Sequence, residues 1–580
     1  MTVLRRLLAG AALLLLLAAG WLWWTRPVPV DMAEYVPADA LIYLEINDLP
    51  AVARVLASTE AMRAVPPERR RGLDWAGEPW LDNLISLTGL APHRSVVLAR
   101  AQASVAVLGF EAREVGEVGE DSSLRFTPRV AVVAETHTPE WRARSAVEQL
   151  VGGLARSTYG APSVERKEVD GVGFVSWVSP AEPGRRLVAA VEGGVAVVGN
   201  DEAAVKACLE VRRGARQSLA GDARLGAMRQ RLGRGQESAL AFGYAPAGSA
   251  AKVVENLAPA FAGGAAGDPR VQGLLATLLP QMVGKVVGAI GWVAVAADGL
   301  IEDRYFVSLP GDVAQRLDVP FAVHPEWGEG GAALLPPDTH QFTQYNLRSP
   351  ELAWRGFGAA LSSQFDVTRG PVITLGLEAL VRPYGVERPR DFLRAVGPSI
   401  VTARLAPESE RRVLVVEAFD REALLAQARQ FLGPGLKTEK TDGAELLISA
   451  DEDRGAAAFV AGHLLLGAAA DVRRCVEAAR LNQSLRSAEA YRLFESSFAT
   501  EGTALSRTLT DDGAAVAAVV ALLSSKGEGN PGAAGDAAGR GTRARHSVSR
   551  TRLAEGGFEK KTRSAFGLFG ELLGRAAQRR

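Results

Sequence analysis

The sequence predicts an α+β protein in which an N-terminal transmembrane helix precedes two tandem, related units of antiparallel sheet with packed helices. Three observations support this prediction. Residues 7–24 are a long uncharged apolar run, and no later run in the sequence reaches its length. Strand-like and helix-like segments then succeed each other, with hairpin turns between many of the strands. Their order in the first half recurs in the second half, which indicates an internal repeat.

The apolar run, LLAGAALLLLLAAGWLWW, has the length and flanks of a signal anchor. At about 1.5 Å per residue it spans a hydrocarbon core of about 30 Å. Arg5 and Arg6 precede it and Trp23 and Trp24 close it, so the positive-inside rule places residues 1–6 in the cytoplasm and the rest outside. A cleaved signal peptide is the alternative, but small residues typical of a cleavage site do not follow the run.

The chain after the anchor divides into six segments by composition. A spacer (residues 25–32) precedes a first unit (33–317). A connector (318–330) leads to a second unit (331–569), which contains a low-complexity insertion (524–546). A C-terminal tail (570–580) follows. Prolines stiffen the spacer, and prolines and glycines mark the connector. The insertion is rich in glycine and alanine, which predicts disorder.

The first unit begins with the strand ALIYLEI at residues 40–46, whose alternation predicts one buried and one wetter face. Pro50 predicts a helix from Ala51, since proline suits a helix start. Further helices are predicted where apolar residues recur at helical spacing, at residues 80–87, 139–154, 201–213 and from 271 onward. Asn200 is expected to cap the helix at 201–213.

Hairpins account for most of the remaining strands of the first unit. The turn signals are Asp170-Gly171, Gly193-Gly194 and Asp298-Gly299. Strands at 95–100 and 104–110 are expected to pair with each other. The acidic stretch 111–123 lacks the ligand spacing of a calcium loop and is predicted to be a solvated hairpin.

The second unit repeats this order. VPADALIYLEINDLPAVARV, from Val36, has a degenerate copy, LPPDTHQFTQYNLRSPELAW, from Leu335. The strand RVLVV at 412–416 matches RVAVV at 129–133, and residues 503–508 take the place of strand 239–244. Gly556-Gly557 is aligned with the turn Asp298-Gly299. These collinear matches predict a duplicated fold.

Two polar positions recur in both units and are the candidate site residues: Asp39 with Asp338, and Asn47 with Asn346. Recurrence within one chain favours a structural task, such as an Asx-turn after proline. The functional alternative is that these groups line two equivalent binding clefts.

No catalytic, cofactor-binding or metal-binding motif is present in the sequence. None of the six histidines stands three or four residues from another ligand in a familiar metal-binding pattern, although distant ligands could converge. Cys208 and Cys475 occupy equivalent apolar positions of equivalent helices, so each is predicted to be buried in its own unit rather than joined in a disulfide. The formal net charge of +0 gives no sign of a nucleic-acid partner.

The anchor, the opening VPADALIYLEINDL and the ending TRSAFGLFGELL resemble a family of bacterial envelope proteins known as domain of unknown function three-three-five-two. The resemblance implies a bacterial source and an exported, anchored protein of about this size. It implies no activity, ligand or catalytic residue, so no role is carried over to this chain.

The sequence therefore predicts a single-pass protein of the bacterial inner membrane, with the bulk of the chain periplasmic or otherwise extracytoplasmic. Its expected partners are the inner membrane, through residues 7–24, and an envelope protein or peptide. The leading hypothesis is a non-catalytic binding or scaffold protein. The alternatives are a hydrolase-like enzyme with a site assembled from distant residues, and a carrier of a hydrophobic envelope molecule. An enzyme predicts ionisable side chains with shifted pKa values in one cleft, a carrier predicts a long apolar cavity, and a scaffold predicts neither.

Overall fold

The computed structural model describes residues 29–578 with internal gaps. These gaps are residues 66–96, 98–100, 116–122, 234–238, 257–268, 328–329, 366–376, 379–380, 382–385, 410, 442–443, 500 and 525–541. The predicted cytoplasmic tail and membrane anchor, the helix predicted at 80–87 and most of the low-complexity insertion lie outside the described residues. Among the residues that are described, no helix combines the length and apolar character needed to cross a bilayer.

The described strands form one 20-stranded sheet in which every pairing is antiparallel. In chain order they are β1 (Ile42–Ile46), β2 (Gln102–Val115), β3 (Ser123–Glu135), β4 (Ser163–Val169), β5 (Val172–Val178), β6 (Arg186–Glu192), β7 (Val195–Gly199), β8 (Ala239–Ala245), β9 (Ile290–Ala297), β10 (Leu300–Ser308), β11 (Gln341–Asn346), β12 (Val396–Arg404), β13 (Val413–Ala418), β14 (Lys437–Thr441), β15 (Ala444–Ile448), β16 (Ala456–Val460), β17 (His463–Gly467), β18 (Ser506–Asp511), β19 (His546–Ala554) and β20 (Gly557–Ser564).

Helices pack on both faces of this sheet, so the predicted α+β class is confirmed. The helices with described bounds are α1 (Leu49–Ala57), α2 (Glu60–Arg63), α3 (Glu140–Tyr159), α4 (Glu202–Arg212), α5 (Ala223–Leu232), α6 (Pro269–Val286), α7 (Gly311–Asp318), α8 (Pro350–Ser362), α9 (Pro389–Arg394), α10 (Arg421–Leu432), α11 (Ala469–Arg480), α12 (Glu489–Ser496), α13 (Gly513–Ser524), α14 (Thr542–Arg545) and α15 (Gly567–Gln578). Helix α15 runs across the boundary predicted at residue 570. Of the low-complexity insertion, Ser524 ends α13, residues 542–545 form α14 and His546 begins β19.

The strand order is the same in the two halves of the chain when each is followed outward from the middle of the sheet. The first half has the order β10-β9-β8-β1-β2-β3-β7-β6-β5-β4. The second half has β20-β19-β18-β11-β12-β13-β17-β16-β15-β14. Strands β10 and β20 pair from Ile301–Ser564 to Ser308–Gly557 and so join the halves. We call this β10–β20 pairing the seam.

Local sequence chemistry explains many of the element ends. Asp48, Asp201 and Asp420 each accept a hydrogen bond from a backbone N–H in the first turn of the helix that follows, at 2.7–3.0 Å. The turn Asp298-Gly299 has positive φ at both residues, as a two-residue hairpin requires. The prediction that Asn200 caps α4 is wrong, because the Asn200 side chain instead accepts from Val130 N and donates to Pro128 O.

Three expectations about strand pairing are corrected by the structure. Strand β2 pairs with β1 and β3 rather than with residues 95–100, of which Val97 is described and is helical. The second hairpin turns at Glu555-Gly556, since Gly557 already pairs with Ala554. The alignment of residues 503–508 with 239–244 is also one residue out, because Leu509 holds the sheet position that Tyr244 holds in the first half.

The sheet has two faces with different coverings. On the face that carries Tyr43 and Phe342, which we call the capped face, helices α4 and α5 cover the first half and α11 and α12 the second. The opposite face packs against α1, α13 and α15. Cys208 and Cys475 lie free and buried in the two capped-face cores, as predicted, and burial raises the pKa of each thiol to about 12.

A polar cavity at the seam

The four candidate residues from the sequence do not form a common site. Asp39 pairs with Arg216 at 2.7 Å, and Asp338 pairs with Arg474 at 3.0 Å. Both aspartates are largely exposed, so each pair contributes at most about 1 kcal/mol to stability. These residues stand in the turns before β1 and β11, where Ala40 N and Thr339 N donate to the carbonyl of the preceding proline.

The two asparagines also have separate structural partners. Asn47 is exposed and its Oδ1 accepts from Gln102 Nε2 at 3.1 Å. Asn346 is buried, its Nδ2 donates to His324 O at 2.8 Å, and its backbone N–H donates to Leu505 O. Neither asparagine lines the cavities described below: Asn47 contacts the first residue of β2, and Asn346 contacts the connector and the residue before β18.

A cavity of about 320 Å³ lies on the opposite face, beside the seam, and we call it the seam cavity. Its floor is the sheet, from strands β10, β20, β19, β18 and β11, and its wall is formed by α13 and α15. Residues of both halves therefore line it. This volume is at the lower end of the range for small-molecule sites.

The floor of the seam cavity is rich in hydroxyl groups. The alternation of each strand places serine and threonine on the opposite face while arginine and apolar residues point to the capped face. The hydroxyl-bearing residues are Thr508, Thr510, Ser547, Ser549, Thr562 and Ser564. Ser549 and Thr562 are hydrogen-bonded to each other at 2.8 Å, and Thr508 to Thr343 at 3.1 Å. The floor thus offers both donors and acceptors.

Asp303 lies where the floor meets helix α15. The indole Nε1 of Trp292 donates to its Oδ1 at 2.8 Å, and Leu568 N donates to its Oδ2 at 2.9 Å. Gly567 permits this approach: its φ is +57°, and a Cβ there would lie 2.6 Å from Ile301 Cγ2. Burial raises the pKa of Asp303 to about 6 against the opposing effect of these hydrogen bonds.

Asp512 is a second carboxyl group on the cavity lining, at the start of α13. Burial raises its pKa to about 6, while the hydrogen bond with the Ser547 side chain acts in the other direction. Glu571 and Lys560 also line the cavity, and the Lys560 ammonium lies 6.0 Å from the ring centre of Tyr305. Burial is the main cause of the raised pKa of Tyr305. Three carboxyl groups therefore face one ammonium group.

The wall opposite the hydroxyl floor is mostly apolar. Val516 and Val519 of α13 and Phe566 and Leu568 at the start of α15 form this wall. Ala515 also lines the cavity but is exposed. A ligand here would meet hydrogen-bonding groups on one side and hydrocarbon on the other.

Metal binding has no geometric support in the part of the chain that the structure describes, where no three His, Cys, Asp or Glu side chains come together to hold an ion. Sequence reasoning missed the seam cavity because its residues come from five separate segments between positions 303 and 571. The available signal was the Ser/Thr alternation of three strands, SRTLTD, HSVSRTRLA and GFEKKTRS, which by itself indicates any half-polar sheet.

Comparison with known proteins adds no relative: no family model, curated protein or solved structure matches this chain.

Proposed function

We propose that this protein is a membrane-anchored, extracytoplasmic and non-catalytic binding protein of the bacterial envelope, and that the seam cavity is its ligand site. The observation that carries the proposal is a ligand-sized cavity whose hydroxyl-rich floor is shared by both halves of the chain. Cavities at the junction of two structural units are a frequent location for ligands.

The lining specifies the chemistry of the ligand. Three carboxyl groups against one ammonium group favour a neutral or cationic molecule. The hydroxyl floor favours several donors and acceptors, and the apolar wall favours an exposed hydrocarbon face. A small amino sugar or a peptide amine combines these features.

The hydrogen bonds of Asp303 favour binding over catalysis. Both carboxylate oxygens already accept from structural donors, Trp292 Nε1 and Leu568 N. A general acid or base needs a free oxygen directed at its substrate. Asp303 is therefore better suited to hold the start of α15 at the cavity edge.

Two adjacent alanines of α13 allow a controlled test. Ala514 and Ala515 are both exposed, but Ala515 alone lines the seam cavity. The full-length protein would be incubated with an extract of envelope small molecules, washed and denatured, and the released compounds identified by mass spectrometry. We expect a compound that wild type and Ala514→Trp retain and that Ala515→Trp loses. The same retained compounds in all three proteins would contradict the proposal.

A hydrolase is the second candidate function, because two carboxyl groups with pKa values near 6 line one cavity. Such values suit acid–base chemistry near neutral pH. Turnover of 4-nitrophenyl glycosides that disappears in both Asp303→Asn and Asp512→Asn, with Ala514→Trp unaffected, would replace the binding proposal. Turnover unchanged in these variants would remove the candidate.

The anchor, the envelope family and the duplication belong to the same proposal. The common strand order of the two halves supports two related units of one ancestral fold. We propose that residues 7–24 cross the inner membrane once and that an envelope protein or peptide is a further partner. A reporter enzyme that works only outside the cytoplasm tests this topology. Fused after Arg580, it should be active. If mild crosslinking in membranes captures no other protein or peptide, the result would count against the proposed envelope partner.

A further inference from the structure

A second cavity, of about 320 Å³, lies in the second half on the opposite face of the sheet, and we call it the apolar groove. Helices α8 and α9 form its sides, and strands β11, β12 and β13 form its base. Its lining is almost wholly hydrocarbon and includes Tyr345, Trp354, Phe357, Phe392, Ile400 and Leu414. It shares no lining residue with the seam cavity, so the two sites can be tested separately.

The groove is accessible as well as apolar. Tyr345, Trp354, Phe357 and Ile400 are only partly buried, although they belong to a sheet and a helix that pack together. An apolar concavity of this kind on a folded surface favours an apolar ligand, since filling it removes hydrocarbon from water.

Arginines surround one carboxylate at the junction of the same two helices. Glu351 Oε1 lies 3.9 Å from Arg355, 3.8 Å from Arg390 and 3.4 Å from Arg394. Each of these positions is next in sequence to a groove-lining residue: Glu351 follows Pro350, and the arginines follow Trp354, Pro389 and Leu393. Three arginine guanidinium groups therefore share the one carboxylate of Glu351 at this junction. The arginine side chains are 56–61% exposed and are available to a ligand anion.

We propose that the apolar groove binds a fatty acid of about ten carbons, with its acyl chain along the helices and its carboxylate at Arg390 and Arg394. The volume of the groove corresponds to roughly ten groups of the size of water or methylene, taking about 30 Å³ for each. A single acyl chain of moderate length fits this volume, and a two-chain lipid does not. An arginine fork pairs well with a carboxylate.

The test uses photocrosslinking of the full-length protein in lipid nanodiscs, with a diazirine derivative of decanoic acid as the probe. Mass spectrometry of the digest should locate the label on the peptides that contain α8 and α9, and unlabelled decanoic acid should compete. Leu393→Trp places an indole in the groove and should reduce this labelling at least tenfold. Leu352→Trp is the matched control, because Leu352 is exposed on α8 and does not line the groove; it should label like wild type.

The charge of the rim is tested with a second variant. Decanoic acid should compete better than decanol in wild type, by about tenfold for one charge-assisted hydrogen bond. Arg390→Gln with Arg394→Gln should abolish this preference while the competition by decanol stays constant. Both arginines are exposed, so little stability is lost.

Labelling outside α8 and α9, or labelling that Leu393→Trp and Leu352→Trp change equally, would overturn the site. Labelling in the groove with equal competition by acid and alcohol in wild type would overturn the role of the arginines. Neither result bears on the seam cavity.

Discussion

Arg563 joins the two halves by side-chain contacts on the capped face of the seam, and its removal is the sharpest test of the fold. Its Nε lies 2.7 Å from Glu302 Oε2 in the first half, and its Nη2 lies 3.0 Å from Glu501 Oε1 in the second. Glu302 is buried, with 4% of its side chain exposed. Arg563→Leu would keep apolar bulk at this position and remove both ion pairs.

The expected loss of stability depends on the cations that still contact Glu302 and Glu501 in the variant. Removing one partner of a buried ion pair costs about 3–5 kcal/mol. Glu302 retains Arg304 at 2.7 Å and Glu501 retains Lys561 at 2.8 Å, so neither is left without a cation. We therefore expect a stability loss of about 3 kcal/mol, at the low end of this range. This loss corresponds to a roughly 100-fold increase in the equilibrium constant for opening the seam.

Native-state hydrogen exchange locates this loss. Amides of β10 and β20 should exchange roughly 100-fold faster in Arg563→Leu, since the seam opens more often. Arg552→Leu is the control: Arg552 pairs with Glu559 at 2.6 Å on the same sheet face but is 46% exposed, so its loss should cost at most about 1 kcal/mol. Equal exchange at the seam in the two variants would refute the reasoning.

Three further predictions concern buried ionisable groups. Because the pKa of Asp512 is about 6 in the fold and about 3.9 in an unfolded chain, its ionisation destabilises the fold as pH rises from about 4 to about 6. The stability of Asp512→Asn relative to wild type should therefore rise by about 3 kcal/mol across this window in urea unfolding, and a pH-independent difference would contradict it. Arg229→Met removes a cation 3.3 Å from buried Glu45 and should cost about 3–5 kcal/mol of stability. Adding Glu45→Gln should restore part of this stability. No recovery in the double variant would argue against charge as the cause. Cys208 and Cys475, with thiol pKa values of about 12, should react with a thiol reagent at pH 8 only after urea is added, and rapid reaction of the native protein would disprove their burial.

The register of the second half shows how far sequence comparison reaches. The matched pair Tyr43 and Phe342 was assigned correctly, because both face the capped core and their apolar character is visible in the sequence. The last hairpin was placed one residue out, since Gly556-Gly557 looks like a turn while cross-strand pairing selects Glu555-Gly556. Because strand faces alternate, a shift of one residue would exchange the charged capped face for the hydroxyl floor.

The candidate site was also beyond the reach of local sequence comparison. Asp39, Asn47, Asp338 and Asn346 recur in the sequence, yet the structure gives each its own structural partner and does not bring the four together. The seam cavity has no counterpart in local spacing, since Asp303 and Asp512 are far apart in the chain and lie on different halves.

The sequence by itself determined the class of the fold, most hairpins, the capped helices and the burial of both cysteines, because each depends on residues within a few positions of one another. Only the tertiary structure decided that the halves share one continuous sheet, since the β10–β20 pairing joins residues 249–263 positions apart. That pairing also decides where Asp303 meets the hydroxyl floor and where Arg563 meets Glu302. The shifted pKa values of Asp303 and Glu302 follow from burial, hydrogen bonds and neighbouring charges, some of which exist only after the halves are joined.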